Sequence, residues 1–125
     1  MSLILIIIIP ILGFSAPADF QFRNYREILI FSPTKDNILL EKQLQIFEKD
    51  PDGLKERDLK VSVNVWNAKQ DAMYRRWKID QKKFTLILIG KDGQAKFRSE
   101  KPTTLKQLYS IIDVMPMRRS EMKKQ

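Results

Sequence analysis

The chain contains no cysteine and no histidine among its 125 residues. Without thiols or imidazoles, disulfides, Cys–His and Ser–His nucleophilic pairs, and zinc sites built from nitrogen and sulfur ligands are all excluded. Most small hydrolases and metalloenzymes go with them. The mature chain also lacks internal repeats and low-complexity stretches, and no lysine or arginine precedes Arg23. Nor does any apolar run approach the ~20 residues that a bilayer-spanning helix needs.

The longest such run, Leu3 to Leu12, is aliphatic except for Pro10 and ends at Gly13. It reads as the core of a signal peptide, although the positive charge expected ahead of it is limited to the amino terminus. Ala16-Pro17-Ala18 supplies the small residues that a signal peptidase reads, with Phe14-Ser15-Ala16 as the alternative, so cleavage is expected after Ala16 or Ala18. The competing reading, a buried first strand, would put a long uniform isoleucine run just before Pro10 and Gly13. The expectation is a leader over residues 1–18, a periplasmic or extracellular location with no membrane anchor after cleavage, and one domain over residues 19–125. With no disulfide available, that domain must stand on packing alone.

Charge is uneven along the chain. Residues 1–74 carry nine Lys and Arg against ten Asp and Glu, and residues 75–125 carry fourteen against five, balances of −1 and +9. A basic half-chain on an exported protein suggests an anionic glycan, a lipid head group or an envelope or matrix protein as partner, with nucleic acid disfavoured outside the cytoplasm. Solubilisation by lysine is the plain alternative.

Hydrophobic period orders the elements. Ile28 to Phe31 is a short continuous apolar run, as in a strand covered on both faces. Leu40, Leu44 and Phe47 then fall at helical spacing, with Thr34 or Asp36 available as cap and Asp50-Pro51-Asp52-Gly53 as the stop. Val61, Val63 and Val65 alternate with polar residues, as in a half-buried strand. Asn67 can cap a helix over Ala68 to Lys78 whose apolar face holds Ala72, Met73 and Trp77. Phe84 to Ile89 is a second apolar strand, turned by Lys91-Asp92-Gly93 into Gln94 to Arg98. Thr104 to Gln107 has capping-box spacing ahead of a helix through Leu105, Leu108, Ile112 and Met115 that Pro116 ends. A basic tail, residues 117–125, is expected to be extended or frayed.

This order, β-α-β-α-β-β-α, is that of the minimal thioredoxin core and predicts a thioredoxin-like three-layer α/β/α fold with a mixed sheet. In that fold, thiol chemistry sits where the first strand runs into the first helix, because a helix N-terminus stabilises a thiolate. Here that stretch is Ser32, Pro33, Thr34 and Lys35, a degenerate loop without a thiol, and Lys82-Lys83-Phe84 stands where redox-active relatives carry a cis-proline.

Arg57-Asp58-Leu59 before the Val-rich strand, Gly90-Lys91-Asp92-Gly93, and Asp113 to Met122 with Met115-Pro116-Met117-Arg118-Arg119 also resemble the DUDES-type domains, from about Tyr25 to Met122. The resemblance implies a thioredoxin-like fold without redox cysteines, shared by small exported bacterial proteins and matrix-associated proteins such as URB, equarin and sushi-repeat proteins. It implies no catalytic residues.

Several constellations have competing structural explanations. Carboxylate chemistry needs two acids facing across a cleft, whereas Glu48, Asp50 and Asp52 cluster at a helix stop. A calcium loop there is interrupted by Pro51, and Leu59 stands where its bidentate acid belongs. Ser32, Thr34 and Lys35 could hold an anion at a helix N-terminus or simply cap it. Arg75, Arg76, Lys82 and Lys83 interleave with Tyr74 and Trp77 as in polyanion binders, or flank a core tryptophan. Arg118 and Arg119 could dock an anionic surface, or pair with Glu121 and nearby acids while Met115, Met117 and Met122 tie the tail down. The leading expectation is a non-catalytic exported module, without cofactor or metal, presenting a basic C-terminal half to an anionic partner. The second is a redox-inactive accessory that binds peptides of envelope or secreted proteins in the degenerate groove.

Overall fold

A computed structural model describes residues 22–124. The expected leader lies outside the described residues.

Seven-residue β1, Arg26–Ser32, carries the apolar run and is buried at every position but one. Its central place follows from having nothing polar to offer solvent between Ile28 and Phe31. Helix α1, Ile38–Glu48, begins after both expected caps: Asn37 is its cap, accepting from the amides of Leu39 and Leu40. Thr34 and Asp36 are not caps. The Asp50 to Gly53 stretch ends α1 and at once begins another short helix, α2, Pro51–Glu56, because Pro51 suits a first helical position and Asp50 caps Gly53. Strand β2, Leu59–Val65, follows.

A 3-10 turn over Ala68–Gln70, capped by Asn67, leads into α3, Asp71–Arg76. Tyr74, not Met73 or Trp77, is the residue that α3 buries. Its ring packs edge-on against Phe31 and Trp66, and its hydroxyl donates to the carbonyls of Asn64 and Ser32. A phenol can enter a core when its O–H finds such partners. Fully buried β3, Thr85–Ile89, turns through Gly93, at φ 81°, into β4, Ala95–Ser99. Helix α4, Leu105–Ile112, is capped by Thr104 as its spacing predicts. It ends before Met115, and Pro116 initiates a further helix, α5, Pro116–Lys123, where a frayed tail was expected.

The sheet order is β2-β1-β3-β4, with β1 parallel to β2 and antiparallel to β3, and β3 antiparallel to β4. Two cores cover its faces. Ile28, Ile30, Leu86 and Leu88 pack with Leu40, Phe47, Leu108 and Ile112 on one side. Leu29, Phe31, Ile87 and Ile89 pack with Tyr74, Trp66 and Trp77 on the other. This is the three-layer α/β/α arrangement expected of the sequence. Strand β2 departs from simple alternation: Val61 packs on the first core, but Val63 is 42% exposed and Asn64 is buried with its amide on the Ile30 carbonyl. As an edge strand, β2 has only part of a face to bury.

Candidate functional site

The sheet presents two poles, and the charged residues singled out by sequence divide between them. At the carboxyl end of β1 lies the degenerate loop. Ser32 is fully buried and its hydroxyl donates to the Thr34 carbonyl at 2.6 Å. Its own carbonyl accepts from Tyr74 and from the Trp66 amide. Pro33 is half-buried, whereas Thr34 and Lys35 are exposed. Because α1 begins at Ile38 and Asn37 already occupies its first free amides, Ser32, Thr34 and Lys35 do not line a helix N-terminus. No cis peptide bond occurs among the described residues. Burial raises the Tyr74 hydroxyl above the ordinary phenol range, only partly opposed by its bond to Ser32, so it remains a neutral donor.

The turn and helix α3, with the approach to β3, carry four of the six basic candidates. From residue 69 to residue 83 the chain carries Lys69, Arg75, Arg76, Lys78, Lys82 and Lys83, all exposed, against Asp71 and Asp80. Arg75 pairs with Asp71 at 2.9 Å, Lys83 reaches Glu100 at 3.6 Å, and Arg76 lies 5.2 Å from the centre of the Trp77 ring. Exposed pairs of this kind leave most of the positive potential facing solvent. Arg98 crosses from β4 to donate to the Trp77 and Lys78 carbonyls, closing the end of α3 where Lys78 takes φ 55°.

The opposite pole holds Arg118 and Arg119, in different situations. Arg119 is exposed on α5. Arg118 is 1% exposed and its charge is committed inside the protein: it meets Glu56 at 2.6 Å, Asp113 at 3.0 Å and Glu121 at 3.7 Å. Around it gathers a cluster that sequence reading did not assemble. Glu121 receives Arg26 at 3.2 Å and Lys91 at 2.6 Å, Lys91 also holds Asp58 at 2.9 Å, and Arg57 holds Asp113 at 3.0 Å while stacking 3.6 Å over the Tyr109 ring. Burial alone would raise the Asp113 and Glu121 carboxyls, but the cations bonded to them outweigh it and hold both below the ordinary carboxylate range. Burial likewise opposes the charge on Lys91 and Arg118, and their carboxylate partners reverse it, raising both. Tyr109 is pushed up to about 12 by burial and by the Asp50 carboxylate that accepts its hydroxyl.

The segments Arg57-Asp58, Gly90-Lys91 and Asp113 to Glu121 are thus one object in space: α5 is latched to the amino ends of β1 and β2 by ions. The sequence reading anticipated that Arg118 could pair with Glu121 or nearby acids, but not that Arg26, Arg57 and Lys91 join the same cluster. Met115 packs on the core, as the alternative reading of the tail anticipated, whereas Met117 and Met122 stay largely exposed.

No group of acids capable of holding a metal occurs among the described residues. No helix among them is long and apolar enough to cross a membrane.

No curated protein matches the chain by sequence. Among solved structures, one described as a malarial protein aligns over 72% of this chain and 96% of its own, with TM-score 0.57 and 17% identity. StoA from Bacillus subtilis aligns over 71% of this chain and 83% of its own, with TM-score 0.54 and 18% identity. Likeness at that level speaks to the fold, which is thioredoxin-like. Residues 18–121 match the profile of a domain of unknown function, DUF4174, and the chain belongs to that family.

Proposed function

We propose that this protein is an exported, non-catalytic module that engages an anionic partner, an acidic glycan or a lipid head-group surface, through Arg75, Arg76, Lys82 and Lys83. The observation that carries the reading is the six-to-two excess of exposed cations over acids between residues 69 and 83. The neighbouring loop holds no thiol or imidazole, and the Ser32 hydroxyl and the Tyr74 phenol are bonded inward. Long-range attraction by such a patch needs no fixed geometry and weakens as salt rises. Arg118 takes no part, being neutralised internally, and Arg119 is a lesser contributor at the far pole. Against a peptide-binding accessory, Ser32 is buried and Pro33 half-buried, which leaves chiefly Thr34 and Lys35 to meet a ligand.

Heparin chromatography tests the proposal. The protein is expected to be retained at low salt and released at moderate salt. Replacing Arg75, Arg76, Lys82 and Lys83 together by glutamine should move elution to clearly lower salt, and Arg119→Gln should shift it little. Passage of the unmodified protein through the column at low salt defeats the reading.

A further inference from the structure

The sheet order leaves β2 and β4 as its two edges, and they are protected differently. An edge strand offers amide and carbonyl groups to any other chain that can pair with it, and cations or a bulge on the edge discourage such pairing. Strand β4 has both devices: exposed Lys96 and Arg98, and a register shift against β3 between Leu88 and Ile89. Antiparallel pairing of β4 with its own copy about Lys96, Phe97 or Arg98 would set cation against cation. Strand β2 keeps an unbroken register against β1 and carries a single charge, Lys60, near one end.

The direction of the β2 backbone follows from its bonds to β1. The Asp58 carbonyl accepts from the Arg26 amide and the Trp66 amide donates to the Ser32 carbonyl, so the even-numbered residues between them turn their backbone groups toward β1. Backbone groups alternate in direction along a strand, which puts those of Leu59, Val61 and Val63 at the open edge, where nothing among the described residues pairs with them. The Val65 carbonyl, which accepts from the Asn67 side-chain amide at 3.4 Å, closes that stretch. We propose that β2 joins a second copy of this chain, antiparallel and centred on Ser62, so that the sheet continues across two molecules. The strand is self-complementary in that register. Full overlap of Leu59–Val65 sets Val61 of one copy against Val63 of the other in a hydrogen-bonded pair, which covers the exposed Val63 side chain. Lys60 falls opposite Asn64, so no like charges meet. A two-fold axis through the Ser62 pair, perpendicular to the sheet, keeps each face on its own side, as an isologous dimer requires. This match of the strand to itself is what singles out a second copy over an unrelated strand.

Sedimentation equilibrium at moderate salt is expected to show a monomer–dimer equilibrium. Raising the salt should strengthen it by screening two chains of net charge +8, the reverse of its effect on heparin retention, so the dimer and the polyanion reading fail separately. Val63→Lys should raise the dissociation constant about tenfold or more while leaving the circular dichroism spectrum unchanged, because a charge then faces Val61 on both sides of the axis. The lack of cysteine allows a second reading. Ser62→Cys puts a lone thiol beside the two-fold axis, at a non-hydrogen-bonded pair whose Cα atoms lie about 4.5 Å apart, within disulfide range. Lys60→Cys, opposite Asn64, leaves the two thiols roughly 14 Å apart along the strands. Mild oxidation should therefore couple Ser62→Cys into covalent dimers and leave Lys60→Cys monomeric. A protein that stays monomeric at every concentration, an equilibrium indifferent to Val63→Lys, or equal coupling of the two cysteine variants would each overturn the proposal.

Discussion

Arg118 and Arg119 are adjacent, identical and opposite in role. A helix turns 100° per residue, which is enough to put one guanidinium on the body and the other in water. Removing Arg118 strands Glu56 and Asp113 beside each other's charge and leaves Glu121 one cation poorer. A fully buried pair broken this way costs ~3–5 kcal/mol, but Glu56 and Asp113 reach solvent, so Arg118→Ala should cost about 2 kcal/mol in urea denaturation. Arg119→Ala should stay within about 0.5 kcal/mol of the parent. Equal effects would show that the buried cluster contributes nothing specific. Gln43 poses the same question for a neutral residue: its amide donates to the Thr103 carbonyl at 2.9 Å and accepts from the Thr103 amide at 2.7 Å, both buried. Gln43→Leu leaves two backbone groups unpaired and should cost about 2–3 kcal/mol by the same assay, despite being more apolar.

At the scale of elements, α5 is held by charge where the other helices are held mainly by apolar packing. Asp113 and Glu121 are depressed in the folded state from ordinary values of 3.8 and 4.5. In acid the unfolded chain therefore takes up protons first, and stability supplied by these groups is present above those ordinary values and lost as pH falls through the lower folded ones. Lys91 and Arg118 are raised, so their share is lost only as pH rises past their folded values, beyond 10.5 for Lys91. Amide exchange followed from pH 6 downward should show α5 opening before β1 and β3, and Glu121→Gln should weaken that pH dependence. Simultaneous loss of protection in α5 and the central strands would contradict an ionic latch. The cap at Thr104 and the turn at Gly93 were readable locally, because each depends on residues within a few positions. The start of α5 was not, since Pro116 serves equally as the end of one helix and the first residue of the next.

For the whole molecule, the sheet joins two cores that share β1 and β3, and nothing covalent ties them. Both tryptophans, Trp66 and Trp77, lie on the same face of the sheet, while α1 and α4 supply helix to the other. Urea transitions followed by tryptophan fluorescence and by far-ultraviolet circular dichroism should coincide, as for one cooperative unit. Separated midpoints would mean that the faces unfold independently.

The layered architecture was legible because apolar runs such as Ile28 to Phe31 and Thr85 to Ile89, and the periodic spacing of Leu40, Leu44 and Phe47, are local consequences of burial. The absence of thiol and imidazole chemistry was equally plain, since a missing atom needs no coordinates. Tyr74 was noticed only among the cations, because its burial depends on carbonyls 10 and 42 residues away in sequence. The division of the cations was decided by tertiary structure alone. Arg26, Arg57, Lys91 and Arg118 are spread over ninety positions and meet only when the amino ends of two strands and the last helix converge, and an ion pair at 3 Å leaves no trace in composition or period.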